Sequence, residues 1–111
     1  MDTTRNVSNP KDMAMYMNAV IDFSTLHPAE GNEFLSYLEN TIYNDRISSE
    51  LPSNIVIAHK IGTETGAIHD IGIIYANKLF ILAVMSKGVD ENIAPEVIGH
   101  IAKLIYDFEE N

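Results

Sequence analysis

The sequence contains no cysteine among its 111 residues. That excludes a disulfide framework and any Cys-ligated metal site. Basic residues are scarce, with 7 Lys and Arg against 16 Asp and Glu, a formal charge of −9. A surface of that sign does not suit a phosphate backbone, so no nucleic-acid partner is expected. The excess acid reads as solubility; it clusters only at Asp107, Glu109 and Glu110. No apolar run approaches the ~20 residues that a membrane helix needs. No secretory leader is legible either: Met1 is followed by the polar DTTRNVSNPKD, which reads as a mature start or a cut boundary. Internal repeats and low-complexity segments are also missing. What remains, 46% apolar and 21% charged, suits one small packed domain spanning residues 1–111.

The elements follow from pattern. The first ten residues read as a loop. Ser8-Asn9-Pro10-Lys11-Asp12 is a helix start, with a capping side chain, a proline in the first turn and an acid after it. Met13, Tyr16, Met17, Val20, Ile21 and Ser24 recur at helical spacing, which predicts a first helix over 10–24. His27-Pro28 restarts the chain, and Phe34, Leu35, Leu38 and Ile42 form the stripe of a second helix. A helical turn over 45–51 ends at Pro52. The composition then turns β-branched. Strands are predicted over 55–61, 67–75 and 78–85, with Ala76-Asn77 as a tight turn in which Asn tolerates positive φ. Ser86-Lys87-Gly88 closes the sheet, and from Asp90 the stripe Ile93, Val97, Ile98, Ile101, Leu104, Ile105, Phe108 predicts a long C-terminal helix. The fold class is α+β: two N-terminal helices, a three-stranded antiparallel meander and a C-terminal helix packed on the sheet, with the helices on one side.

The most specific stretch is AHKIGTETGAIHDIGIIY, residues 58–75. Lys60-Ile61-Gly62-Thr63 ends the first strand. Around it stand Leu51-Pro52-Ser53, His59 and His69-Asp70-Ile71-Gly72, and far upstream Asn9-Pro10-Lys11-Asp12-Met13-Ala14. In this order the residues resemble the C-terminal portion of class A β-lactamases and related penicillin-recognising serine hydrolases, whose third motif is Lys-Thr-Gly or Lys-Ser-Gly on the strand lining the active site. The likeness covers nearly the whole chain and implies a partial β-lactamase-like fold.

The resemblance also implies roles. The Lys60 ammonium stands where a substrate carboxylate and the nucleophile's hydroxyl meet. Gly62 lets a substrate lie against the strand edge. The backbone N–H of Thr63 is the second oxyanion donor, and its hydroxyl adds a hydrogen bond to a substrate carboxylate. Ile61 replaces the motif's hydroxyl residue. No cofactor is implied, and no metal: His69 and Asp70 lack a third ligand. The family's Ser-x-x-Lys nucleophile, Ser-Asp-Asn and deacylating Glu precede this segment in family order. The chain is therefore expected to begin after them and to be inactive alone. Ser8-Asn9-Pro10-Lys11 spells Ser-x-x-Lys but reads as a capped surface helix, and Tyr16-Met17-Asn18 and Tyr75-Ala76-Asn77 match the Tyr-x-Asn of some relatives no better than chance. His59 and Lys60 alternate across the strand, so His59 is read as a structural, helix-facing residue. His27 and His100 are read as exposed or boundary residues.

The last strand, LFILAVM, is uncharged. Its family partner strand would lie upstream of this chain, and such an edge recruits another chain. A homo-oligomer through residues 79–85 is expected. The leading functional expectation is the C-terminal part of a secreted or envelope hydrolase acting on β-lactam or peptidoglycan-like amides. The alternative is a non-catalytic oligomerisation or interaction domain that keeps part of the fold. A small acidic regulatory domain unrelated to either has only the charge in its favour.

Overall fold

The computed structural model describes residues 7–111; the expected loop over the first ten residues lies largely outside them. Helix α1 spans Pro10–Leu26. Asn9 caps it: its Oδ1 accepts from the Asp12 N–H at 2.9 Å, and its Nδ2 donates back to the Asp12 carboxylate at 3.0 Å. Pro28 stops α1 and opens α2, Pro28–Glu39, at a proline-compatible first position. The two helices cross at Gly31, where an added Cβ would lie 2.3 Å from the Ser24 Cα. Backbone cannot yield there as a side chain can. Gly31→Ala is expected to cost about 1–3 kcal/mol by overpacking, read as a lowered thermal midpoint; an unchanged midpoint would show that the helices separate freely.

Helix α2 stops before Ile42, which stands 83% exposed outside the stripe predicted for it. The Asn40 backbone and side chain both donate to the Ser36 carbonyl and cap the helix there. A 3-10 turn, Ile47–Glu50, then leads to the sheet. Strand β1 is Val56–Glu64, β2 is Ala67–Tyr75 and β3 is Leu79–Met85, antiparallel in the order β1-β2-β3. Thr65-Gly66 joins the first pair, with Gly66 at φ 72° supplying the positive φ that such a turn needs. The β2–β3 connection differs from the expected tight turn. No non-glycine residue among those described has positive φ. Asn77 is held instead by its N–H and Nδ2, which donate to the Glu110 carboxylate at 3.1 and 2.8 Å. Helix α3, Ala94–Glu110, closes the chain.

The helices lie on both faces of the sheet, not on one. Ile71, Ile73 and Ala58 pack with Met17 of α1 and Leu35 of α2. Ile57, Ile68 and Ile74 pack on the other face with Ile47 and Leu51 and with Ala94, Ile98 and Ala102 of α3. The central strand is therefore buried on both sides, which explains its nearly unbroken apolar run. On the α1–α2 side, burial and the nearby Glu39 carboxylate push the Tyr75 phenol above its ordinary value of 10.0.

Candidate active site

The two-residue period of β1 separates its consecutive cations. Lys60 is exposed and lines a groove of about 720 Å³ between the start of α1 and the end of β1. Gly62 and Thr63 line the same groove, as do Met13 and Met17 of α1 and His69 and Met85 of the sheet. The three residues expected to bind substrate are thus brought together. The Lys60 Nζ donates only to the Ile61 carbonyl, at 2.9 Å, among the hydrogen bonds of the described residues, so its charge faces open space. At Gly62 an added Cβ would press to 3.2 Å on the His69 ring, so the missing side chain keeps the strand flat against its neighbour.

Behind this strand end sits Arg46, only 5% exposed. Its Nη1 donates to the Gly62 and His69 carbonyls, both at 2.9 Å, and its Nη2 donates to Thr63 Oγ1 at 2.7 Å. Its Nε lies 3.4 Å from an Asp45 carboxylate oxygen, an ion pair without hydrogen-bond geometry. One guanidinium therefore clamps β1 to β2 and fixes the Thr63 side chain. The Thr63 oxygen is engaged as an acceptor, and its own hydrogen remains available to donate.

His59 points the other way. It is 1% exposed, and its ring sits over Gly72, its cross-strand partner, where a Cβ would come within 2.9 Å of the His59 Cβ. Its Nδ1 faces the two Asp70 carboxylate oxygens at 2.9 and 3.0 Å. Its Nε2 faces Asn44 Oδ1 at 3.0 Å. The Asn44 amide is oriented by its own bonds: Nδ2 donates to the Thr41 carbonyl at 2.9 Å, and Oδ1 accepts from Ser48 Oγ at 3.1 Å. Both ring nitrogens thus face oxygen atoms, and the ring is held between Asp70 and Asn44. Asp70 also accepts the Ile47 N–H at 3.1 Å, which joins the 3-10 turn to the sheet. His59 is a structural residue of the kind the alternation predicted.

Of the remaining candidates, Ser8 and His69 border the groove, while His27 and His100 do not line it. Asn9, not Ser8, caps α1, and the Ser8 hydroxyl meets only the neighbouring Asn9 carbonyl, at 3.4 Å. Ser8 borders the groove with no basic side chain hydrogen-bonded to it among the described residues. His69 Nδ1 accepts the Ser86 N–H at 3.1 Å. His27 stacks on Phe23, and exposed His100 pairs with Glu50 and Glu96. No group of three or more His, Asp or Glu among the described residues is placed to hold a metal ion, and no helix there is long and apolar enough to cross a membrane.

Solved structures share this fold. The chain superposes on PBP-A with a TM-score of 0.80 at 23% identity, covering 94% of this chain and 41% of that one. It matches the TLA-1 extended-spectrum β-lactamase with a TM-score of 0.80 at 22% identity, covering 94% and 42%. A β-lactamase from Sphaerobacter thermophilus DSM 20745 gives 0.84 at 23%, covering 93% and 41%. Identities this low establish the fold, and the chain spans only about two-fifths of each of these proteins. Among curated proteins none matches. The model of the β-lactamase enzyme family matches residues 1–108. The chain therefore belongs to the β-lactamase enzyme family, as a partial domain with an α+β topology of that fold.

Proposed function

We propose that this chain supplies the strand-side wall of a serine-hydrolase site acting on β-lactam or peptidoglycan-type amides, with the nucleophile carried by polypeptide outside these residues. The observation that supports this most is the exposed Lys60 ammonium in the groove it shares with Gly62 and Thr63. An ammonium there attracts the carboxylate that such substrates carry and lowers the cost of charge on a nearby hydroxyl. Thr63 and Ile61 share a face of β1 by alternation. With Ile61 apolar, carboxylate recognition falls to the Thr63 hydroxyl and the Arg46 charge 2.7 Å behind it. The Thr63 backbone N–H is assigned as an oxyanion donor. A relative of the same fold, a PBP-A mutant, is known as an acyl-enzyme complex with penicillin G; for this chain the substrate class is carried over from that fold.

Among the described residues the chain holds a binding wall and no activated nucleophile, so it is expected to leave nitrocefin unhydrolysed. An oxyanion donor without an attacking group gives little rate. Penicillin G titrated into the chain is expected to shift the amide resonances of Gly62 and Thr63, with Lys60→Ala weakening that response roughly tenfold, the worth of one exposed charge-assisted contact. Hydrolysis indifferent to Lys60→Ala, or shifts confined to residues away from 60–63, would reject the reading.

A further inference from the structure

His69 pairs with Gly62 across the β1–β2 ladder, on the face of the sheet that α1 covers. Its half-buried ring is oriented from two sides. On the β3 side, the Ser86 N–H donates to Nδ1 at 3.1 Å. On the β1 side, Cδ2 takes the room that Gly62 leaves, 3.2 Å from where a Cβ would stand. Ser86 is itself pinned, its N–H shared with the Ile68 carbonyl at 3.2 Å and its Oγ donating to that carbonyl at 2.6 Å. A backbone N–H only donates, so Nδ1 is the bare nitrogen and the neutral ring carries its proton on Nε2. Nε2, at the distal edge of the ring, has no hydrogen-bond partner among the described residues and is not sealed from solvent. Around it the groove is lined by Met13, Met17, Ile71 and Met85. A fixed donor set among apolar side chains is stabilised by an acceptor brought to it.

We propose that His69 is a further substrate-binding residue of this groove, donating its Nε2–H to an acceptor oxygen that the substrate carries apart from its carboxylate. The inference rests on the reading of the groove as a substrate wall. Lys60 pairs with Ile71 and Gly62 with His69, so Lys60 and His69 are diagonal neighbours on one face of the sheet. Such neighbours stand ~7–8 Å apart, and Gly62, beside both, raises no side chain between them. A ligand whose carboxylate lies on the Lys60 ammonium therefore reaches Nε2 with a carbonyl several bonds away. The acylamino group of a β-lactam or a peptide provides that carbonyl. Arg46 serves Thr63 from the opposite face of β1 and leaves this second contact to the imidazole. His69 thus selects for the acyl group, where Lys60 selects for the carboxylate.

The test uses the 111-residue chain and two ligands that share the carboxylate: penicillin G, and the same nucleus without its acyl group (aminopenicillanic acid). Before ligand is added, the imidazole nitrogen resonances of His69 are expected to show Nε2 protonated and Nδ1 bare; the reverse overturns the inference. Penicillin G is expected to move the Nε2 resonance and aminopenicillanic acid to leave it in place, while both shift Gly62 and Thr63. His69→Asn keeps an acceptor for the Ser86 N–H and removes the distal donor. It is expected to weaken penicillin G roughly tenfold, the worth of one hydrogen bond, and to leave aminopenicillanic acid unchanged. His69→Gln, whose amide reaches the Nε2 position, is expected to recover most of that difference. Equal losses for the two ligands in His69→Asn, or an Nε2 resonance that penicillin G does not move, overturn the inference while shifts at residues 60–63 still uphold the carboxylate reading. Silence at residues 60–63 toward both ligands rejects the substrate wall and this inference with it.

Discussion

Asp70→Asn is expected to destabilise the fold by about 3 kcal/mol, the upper end of the cost of leaving a buried donor without its acceptor. Asp70 is 0% exposed and meets two groups, the His59 Nδ1 through both carboxylate oxygens and the Ile47 N–H. An amide at this position keeps one oxygen and turns an NH₂ group toward donors. Either the His59 ring or the 3-10 turn would then lose its acceptor. For a domain of this size the loss is on the order of 15 °C in thermal midpoint. Pairing the change with His59→Gln removes the ring that faces this carboxylate too. The double variant is expected to recover more than 1 kcal/mol relative to the sum of the single changes, the signature of a coupled pair. Additive single effects would show that the two side chains do not act together.

Arg46→Ala comes second, at about 3 kcal/mol. Three charge-assisted bonds are lost, each worth ~1.5–3 kcal/mol gross, with water replacing part of that near the groove. The Gly62 and His69 carbonyls and the Thr63 hydroxyl all lose a donor. A lower urea midpoint at constant slope would register the loss as stability rather than a changed unfolded state. The damage should concentrate at the end of β1, so hydrogen exchange at Thr63 and Glu64 should accelerate more than at Ile73 in the sheet centre. Arg46→Lys should recover less than half of the loss, because a single ammonium cannot fork to three acceptors on two strands. A cost below 1 kcal/mol for Arg46→Ala would mean that the strand end is held by its ladder alone.

Local chemistry made most of the elements legible. Asn9-Pro10 and His27-Pro28 fixed where helices begin, and the β-branched run at 55–61 announced a strand. Strict alternation placed His59 and Lys60 on opposite faces. What stayed hidden was long-range. Arg46 stands in the polar stretch Asn44-Asp45-Arg46, and its partners are carbonyls and a hydroxyl at 62, 69 and 63, which carry no sequence signature as acceptors. Asp70 gave a faint signal, since an acid inside an isoleucine-rich strand must find a partner. The continuous run of β2 is the mark of a strand covered on both sides, yet hairpin topology favoured a one-sided reading. Ile42 falls at the i+4 position after Leu38, but the Asn40 cap ends the helix two residues before it.

The adjacency of His59 and Lys60 has a consequence for how this segment tolerates change. Side-chain substitutions at either position act locally. Loss or gain of a single residue within β1 upstream of them would transpose the two roles, driving an ammonium into the space over Gly72 and turning the imidazole out to solvent. Length variation in such a lineage should therefore gather before Val56, in the turn after Pro52, and be purged between Val56 and Gly62.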